Sequence, residues 1–229
     1  MTDPKTRVIL SRNETEALAA KAARGAGLPW GVAEEAGFAA GWLHSAGLDG
    51  LSPLLAHLGQ VEISGWHQMR PRWSLGGWDN ENAKVPLCPI ALGMTLSDFA
   101  ASSDSEKGFS QRLSIAGKVA FPVLVLPFLS TIIPPQLEAL KVDLNDVSLT
   151  LGNEYIHAGE PLDAAKLLTV EQSPLRLAQA SAPYPSRSNQ CVATPAETLA
   201  GLERLALQTT VPPSLQSRAD AGAGGSDND

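Results

Sequence analysis

Cysteine is scarce in this chain, which has only Cys88 and Cys191 among its 229 residues. The two form neither a C-x-x-C pair nor a spacing typical of metal ligands. Secreted domains that rely on disulfides are rich in cysteine, and structural zinc sites need clustered Cys and His. The sequence therefore disfavours both classes. It suits a reducing compartment, and we predict a cytoplasmic protein.

Long apolar runs are also missing. The longest, residues 119–133, is interrupted by Pro122 and Pro127, whereas a membrane-spanning helix needs about 20 apolar residues. The N-terminal residues lack the apolar segment of a signal peptide. We therefore expect buried strands in residues 119–133 and no membrane partner.

Basic residues are outnumbered, since 17 Lys and Arg stand against 24 Asp and Glu. The resulting net charge of −7 disfavours nonspecific binding to nucleic acids, which depends on clustered basic side chains. It also disfavours docking on anionic membranes. Because 44% of the residues are apolar, a buried core is expected. The length fits a single domain over residues 1–229.

The order of the expected elements predicts an α+β fold with a mostly antiparallel sheet. Residues 11–58 form a helical subregion, which opens with the capping-box spacing of Ser11 and Glu14. A short strand at residues 61–64 and a helix at 90–101 follow. Residues 109–180 are β-rich, with a turn at Asn145-Asp146. A second capping box, Thr194 to Glu197, begins the C-terminal subregion 194–229, a helix followed by a glycine-rich tail.

The tail, residues 221–229, joins glycines to several carboxylates. Asp227 and Asp229 supply the oxygen ligands that hard cations prefer, so Mg²⁺ and Mn²⁺ are candidate cofactors, and the sequence leaves the cofactor unknown. Glycines let a backbone approach another segment closely. The alternative is a solvated acidic tail, which is common at chain termini.

A matching polar cluster lies near the N-terminus, beside a second Gly-Ala-Gly sequence. If the tail folds back onto the first two helices, basic side chains can hold an anionic group while an acid or base acts on it. The alternative gives these residues ordinary roles in helix capping and solvation. The residues predicted to bind substrate are Asn13, Arg24, Trp30, Arg218, Gly222 and Gly224. Those predicted to be catalytic are Lys21, Glu34 and Asp227, and those predicted to bind metal are Asp227 and Asp229.

Two further segments carry candidate chemistry. Residues 66–73 mix tryptophans with Arg70 and Arg72 and could stack on and neutralise a planar anion, although a loop held by tryptophan packing is the alternative. Cys88 stands at a predicted helix start, where a thiolate is stabilised. A catalytic cysteine needs a base, however, and no histidine lies at an interpretable spacing. We therefore expect an inert, buried cysteine.

Residues 10–31, 33–36 and 217–229 together resemble a bacterial family of unknown function that is common in marine alphaproteobacteria. The shared motifs are Arg-Gly-Ala-Gly-Leu near the start and Gly-Ala-Gly…Asp-Asn-Asp at the end. The resemblance implies that the end motifs are functional candidates and assigns no activity. The helical opening is also loosely similar to the malate and sulfolactate dehydrogenase family, whose Ser-His-Gly signature is missing here.

These observations favour a small-molecule enzyme or enzyme subunit that acts on an anionic metabolite. Its site would form between the C-terminal tail and the N-terminal helices. The alternative is a noncatalytic accessory subunit that inserts its tail into a partner protein. In that case the small-residue stripe of Ala33, Gly37 and Gly41 would be an association surface, and a homo-oligomer is a further option.

Overall fold

The computed structural model describes residues 6–101, 114–134, 137–153, 155–158, 161–181 and 192–209. The predictions for the glycine-rich tail, including Arg218, Gly222, Gly224, Asp227 and Asp229, lie outside these ranges. So does Cys191. The division into a single domain stays a prediction.

Four helices dominate the first hundred residues: α1 (Arg12–Gly25), α2 (Trp30–Ser45), α3 (Leu51–Ser64) and α4 (Pro89–Ala101). The predicted capping box of α1 is confirmed. The Glu14 amide donates to Ser11 Oγ at 3.2 Å, and the Ser11 amide donates to Glu14 Oε2 at 2.8 Å. The hydrogen bonds from the backbone and hydroxyl of Ser11 lower the pKa of Glu14.

The small-residue stripe of α2 packs inside the molecule against α1. A Cβ on Gly37 would lie 2.8 Å from the carbonyl oxygen of Glu16, and one on Gly41 would overlap the Glu16 side chain. Ala33, Gly37 and Gly41 are all buried. The hypothesis that this stripe is an association surface is therefore wrong, because α1 of the same chain already covers it.

Two predicted strands are helical. Residues 61–64 are the last turn of α3, whose apolar side packs into the core. Within residues 119–133 only β4 (Lys118–Ala120) is a strand, and it is followed by a 3₁₀ turn (Pro122–Val125) and α5 (Leu126–Thr131). Pro122 and Pro127 both occupy first turns, where a missing amide costs nothing. Burial alone did not distinguish a strand from a helix here.

A five-stranded antiparallel sheet confirms the β-rich region. Its strands are β4, β5 (Ala139–Leu144), β6 (Val147–Leu151), β7 (Ile156–Ala158) and β8 (Gln172–Ala180), in the order β4-β8-β5-β6-β7. The predicted Asn145-Asp146 turn joins β5 to β6, with Asn145 at a φ of 47°. Helix α6 (Pro161–Thr169) precedes β8.

Two small ribbons complete the fold. β1 (Arg7–Ile9) pairs with β9 (Ala193–Pro195), and β2 (Arg72–Ser74) pairs with β3 (Gly77–Asp79). The C-terminal helix α7 (Ala196–Leu207) follows β9 directly. The capping box predicted at Thr194 is wrong, because Thr194 belongs to β9 and Pro195 precedes the helix without a side-chain cap.

The buried apolar side chains form one contiguous cluster that includes residues of α1, α2, α3, α4, α5, α7 and the five-stranded sheet. The observed fold is α+β, as predicted. Within the described ranges, no helix combines the length and the apolar character needed to cross a bilayer.

Candidate functional site

Of the predicted site residues that the structure describes, the fold brings Arg24 and Trp30 together. The Arg24 guanidinium lies 4.8 Å from the centroid of the Trp30 ring, and its Nη1 donates to the Leu28 carbonyl at 2.5 Å. Arg24 Nε is buried and has no hydrogen-bond partner in the described part of the chain. Arg24 thus holds the turn between α1 and α2 and keeps one donor unused, while Trp30 is 69% exposed.

The other predicted residues of these helices, Asn13, Lys21 and Glu34, are exposed. None of the three has a side-chain hydrogen bond or ion pair to another described residue. Lys21 lies one turn before Arg24 on α1, a spacing that places both on one side of the helix. The structure therefore leaves these side chains available and does not by itself assemble them into a site.

The last turn of α7 lies against the end of α1. A Cβ on Gly25 would overlap the carbonyl oxygen of Leu205, so the two backbones are in direct contact at this glycine. Thr209, the last described residue, follows Leu205 by four positions. The contact at Gly25 therefore fixes the C-terminal end of α7 against α1.

Glu34 and Glu35 do not lie in the first turn of α2, which contains no acidic residue. The helix dipole acts mainly on the first turn, so it stabilises these two carboxylates little. The pKa of Glu35 is raised, first by burial and then by the negative charges of Asp98 and Glu34. Glu35 therefore lies near two other negative charges, and it lines a groove beside α4.

A polar pocket of about 380 Å³ lies around the 3₁₀ turn Trp66–Met69 and the β2–β3 hairpin. We call it the cationic pocket. It corresponds to the segment that the sequence analysis singled out for its tryptophans and arginines. Its lining residues are His67, Gln68, Arg70, Pro71, Arg72, Asn80 and Glu81.

Local contacts hold the two walls of the cationic pocket together. Asn80 Nδ2 donates to the Gln68 carbonyl at 2.6 Å, which joins the two segments. Arg72 Nη1 lies 2.9 Å from Glu81 Oε2, so one arginine is paired within the pocket. The Cys88 amide donates to the Met69 carbonyl at 2.8 Å and anchors the turn to the start of α4.

Among the described residues, Arg70 is the arginine of the cationic pocket that has no carboxylate partner. Its guanidinium lies 5.3 Å from the centroid of the Trp66 ring, and no carboxylate of the described residues forms an ion pair with it. Stacking on an aromatic ring orients the guanidinium plane and leaves its N–H groups free along the edge. The ring centroid of the neighbouring His67 lies 5.4 Å from that of Trp66, and His67 is exposed.

A buried Cys–His pair was missed at the sequence level. His57 Nε2 lies 3.3 Å from Cys88 Sγ, although the two residues are 31 positions apart. Both side chains are fully buried. Burial raises the pKa of Cys88 to about 11 and lowers that of His57 to about 3. The expected burial of Cys88 is confirmed, and both groups are neutral at pH 7.

No sequence spacing could have revealed this pair, because α3 supplies His57 and the start of α4 supplies Cys88. The backbone amides of Ala91 and Ile90, in the first turn of α4, lower the pKa of Cys88 and partly oppose the effect of burial. In the ranges that the structure describes, no group of three or more His, Cys, Asp or Glu is placed to hold a metal ion. The metal predicted at Asp227 and Asp229 stays a prediction.

Comparison with known proteins adds one finding. Residues 10–104 match the model of a family described as a protein of unknown function (DUF3726). The matched segment contains α1 to α4, the β2–β3 hairpin and every residue that lines the cationic pocket. It supports the predicted relationship to an uncharacterised family. No curated protein and no solved structure matches the chain.

Proposed function

We propose that this protein is a small-molecule enzyme or enzyme subunit that acts on an anionic metabolite bound in the cationic pocket. The observation that carries the proposal is Arg70, a solvent-accessible guanidinium without a carboxylate partner in the described residues. It lies in a pocket of about 380 Å³. The chain as a whole has a net charge of −7, so the positive charge of this pocket contrasts with the rest of the protein. We attribute this contrast to the binding of an anion.

The pocket fits a carboxylate or phosphate group. A guanidinium offers parallel N–H donors that match the two oxygens of such a group. Trp66 orients Arg70 before any ligand arrives, which lowers the entropy cost of binding. The Arg72–Glu81 pair adds a second guanidinium whose carboxylate partner an incoming anion can replace, because both side chains are more than half exposed.

His67 is the residue of the pocket best suited to move a proton, since histidine is the side chain most often used in general acid–base catalysis. The His57–Cys88 pair is not assigned a chemical step, because it is buried and neutral. The tail remains part of the proposal. We propose that Asp227 and Asp229 act together with Arg24 and Lys21 of α1, as the sequence predicts.

A bacterial and cytoplasmic setting belongs to the proposal as well. The resemblance of the two end motifs supports a bacterial source. The free thiol of Cys88 is consistent with a reducing compartment.

The first test is binding of inorganic phosphate and malonate to the full chain, measured by calorimetry at low ionic strength. We expect Arg70→Gln to weaken binding about tenfold, since hydrogen bonds between charged groups contribute roughly 1.5–3 kcal/mol. Arg176→Gln is the matched control, because Arg176 is an exposed arginine of β8 outside the pocket. Equal binding by wild type and Arg70→Gln would remove the anion site.

A second test addresses chemistry. The full chain is incubated with a mixture of small carboxylates and phosphate esters, and mass spectrometry follows which compounds disappear. Conversion that is lost in His67→Gln supports an enzyme. Anion binding without conversion of any compound would instead favour the noncatalytic alternative.

One observation favours that alternative, an accessory subunit that binds a partner protein. The β2–β3 hairpin, which forms one wall of the cationic pocket, presents Trp73 at 54% exposure and a fully exposed Leu75 at its tip. Large exposed apolar side chains close together are typical of interaction surfaces. Analytical ultracentrifugation of the wild type and of Leu75→Ser would show whether this tip joins two copies of the chain.

A further inference from the structure

A second cavity, of about 400 Å³, lies between α2, α4 and α5. We call it the acidic groove. Glu35 and Phe38 come from α2, Ser97 and Asp98 from α4, and Phe128 from α5. It shares no lining residue with the cationic pocket. The proposed anion chemistry therefore leaves it unexplained.

Two carboxylates line the acidic groove. Glu35 and Asp98 form no ion pair or hydrogen bond with any residue that the structure describes. Burial and the negative charge of Asp98 together raise the pKa of Glu35. Like charges brought together without a partner cost stability, so a bound cation would be favoured at this position.

The floor of the groove is apolar and aromatic. Phe38 and Phe128 meet edge to face, with ring centroids 5.5 Å apart and an interplanar angle of 66°. Gly93 makes room for this arrangement, because a Cβ there would overlap the Phe128 ring. Met94 also lines the groove. Aromatic faces and a polarizable thioether attract organic cations and accept their alkyl groups.

A buried polar atom also lines the groove. Ser97 Oγ is inaccessible to solvent and has no hydrogen-bond partner among the described residues. A hydroxyl can accept a hydrogen bond from an ammonium N–H, and leaving it unpaired in the interior lowers the stability of the fold. Rotation of the Ser97 side chain about its χ1 angle would bring this oxygen to the groove surface, where it can accept a hydrogen bond from a ligand N–H.

We infer that the acidic groove binds a small organic cation, an ammonium group that carries an apolar body. Glu35 and Asp98 would neutralise the ammonium group, Ser97 would accept one of its hydrogen bonds, and Phe38 with Phe128 would cover the apolar body. A divalent metal ion fits this groove poorly, because such ions prefer a shell of oxygen ligands and the floor here is carbon. A neutral apolar molecule would leave the two carboxylates repelling each other.

The test compares two probes of nearly equal shape, butylammonium and the neutral 1-butanol, on the full chain. Binding is followed by thermal shift and by ligand-observed NMR. We expect butylammonium to bind and stabilise the protein, and 1-butanol to have a much weaker effect. Asp98→Asn should weaken butylammonium binding by up to about fivefold, the upper limit for an exposed ion pair. The double variant Glu35→Gln/Asp98→Asn should weaken it further.

Glu62→Gln is the matched control, because Glu62 is an exposed glutamate of α3 outside the groove. It removes the same charge and should leave binding unchanged. The inference is overturned if butylammonium and 1-butanol bind equally well, or if the double variant binds as the wild type does. It is also overturned if Mg²⁺ stabilises the wild type and not the double variant while butylammonium binds neither.

Discussion

The imidazole of His57 lies 3.3 Å from the sulfur of Cys88, and both groups are shielded from solvent. His57 Nδ1 has no hydrogen-bond partner in the described part of the chain. A buried N–H without an acceptor costs more than a bare lone pair. The favoured arrangement therefore places the imidazole proton on Nε2, where it is donated to Cys88. The Phe121 ring, whose centroid is 6.4 Å from that of His57, also packs against this imidazole.

The first prediction concerns acid stability. The pKa of His57 is about 3 in the folded chain and about 6.5 when unfolded. Between these values the unfolded state binds the extra proton, so stability falls as pH falls below about 6.5. The decrease in the free energy of unfolding that His57 causes approaches about 1.4 kcal/mol per pH unit. Urea unfolding at several pH values measures it.

His57→Leu is the comparison for that experiment, since leucine is apolar and carries no titratable group. Its stability at pH 7 can change in either direction, but its dependence on pH between about 4 and 6.5 should be flatter than that of the wild type. Parallel curves for the two proteins would contradict the assignment of a neutral, buried His57.

The second prediction concerns thiol reactivity. Cys88 is fully buried and burial raises its pKa to about 11, so both access and thiolate content are low at pH 7. In a Cys191→Ser background Cys88 is the one remaining thiol of the chain. We expect Ellman's reagent to modify no thiol in the native protein and one per chain after denaturation. Rapid labelling of the native protein would show that the site opens.

The third prediction uses two helical glycines. Gly25→Ala should destabilise the protein by about 1–3 kcal/mol, because its Cβ would overlap the backbone of Leu205 and push α7 away from α1. Gly59→Ala is the control. A Cβ added there would meet no atom within 4 Å, and alanine favours the helix by up to about 1 kcal/mol. Chemical denaturation should show a lower free energy of unfolding for Gly25→Ala and a higher one for Gly59→Ala. A loss of stability in both variants would contradict this packing.

The fourth prediction concerns Asp49, which precedes Gly50, the N-cap residue of α3, and whose side chain accepts hydrogen bonds from the first amides of that helix. Its Oδ1 accepts from the amides of Leu51 and Ser52 at 3.1 and 3.2 Å, and its Oδ2 accepts from the Ser52 hydroxyl at 2.6 Å. Asp49→Ala should cost about 1–2 kcal/mol, whereas Asp49→Asn should cost much less, since asparagine caps helices nearly as well. Equal losses in the two variants, measured by urea unfolding, would show that capping is not the role of this residue.

Two of three local signals predicted their elements correctly, and the third, the capping box expected at Thr194, is wrong. The Ser11–Glu14 capping box marks the start of α1, and the Asn145-Asp146 pair marks the β5–β6 turn, because each depends on residues only a few positions apart. The strands predicted at residues 61–64 and across 119–133 are wrong. Short apolar segments satisfy a buried strand and a buried helix equally well, and packing then decides between them.

The candidate sites show the same contrast between residues that are neighbours along the chain and residues that only the fold brings together. The sequence predicted that residues 66–73 could bind a planar anion, since the tryptophans and arginines are neighbours along the chain. It did not indicate that Asn80 and Glu81 complete the walls of that pocket. The contact between His57 and Cys88 and the proximity of Glu35 to Asp98 were not predicted, because each pair joins two helices that are distant in sequence.

The sequence by itself determined the α+β composition, the start of α1 and the small residues that let α1 and α2 approach closely. These properties follow from side-chain size, charge and backbone preference at single positions or over short spacings. Only the tertiary structure decided which faces meet. It buried the small-residue stripe of α2 against α1 and paired His57 with Cys88. It also placed the carboxylates of Glu35 and Asp98 at the acidic groove. Such contacts depend on the simultaneous packing of helices whose order along the chain does not specify their neighbours in space.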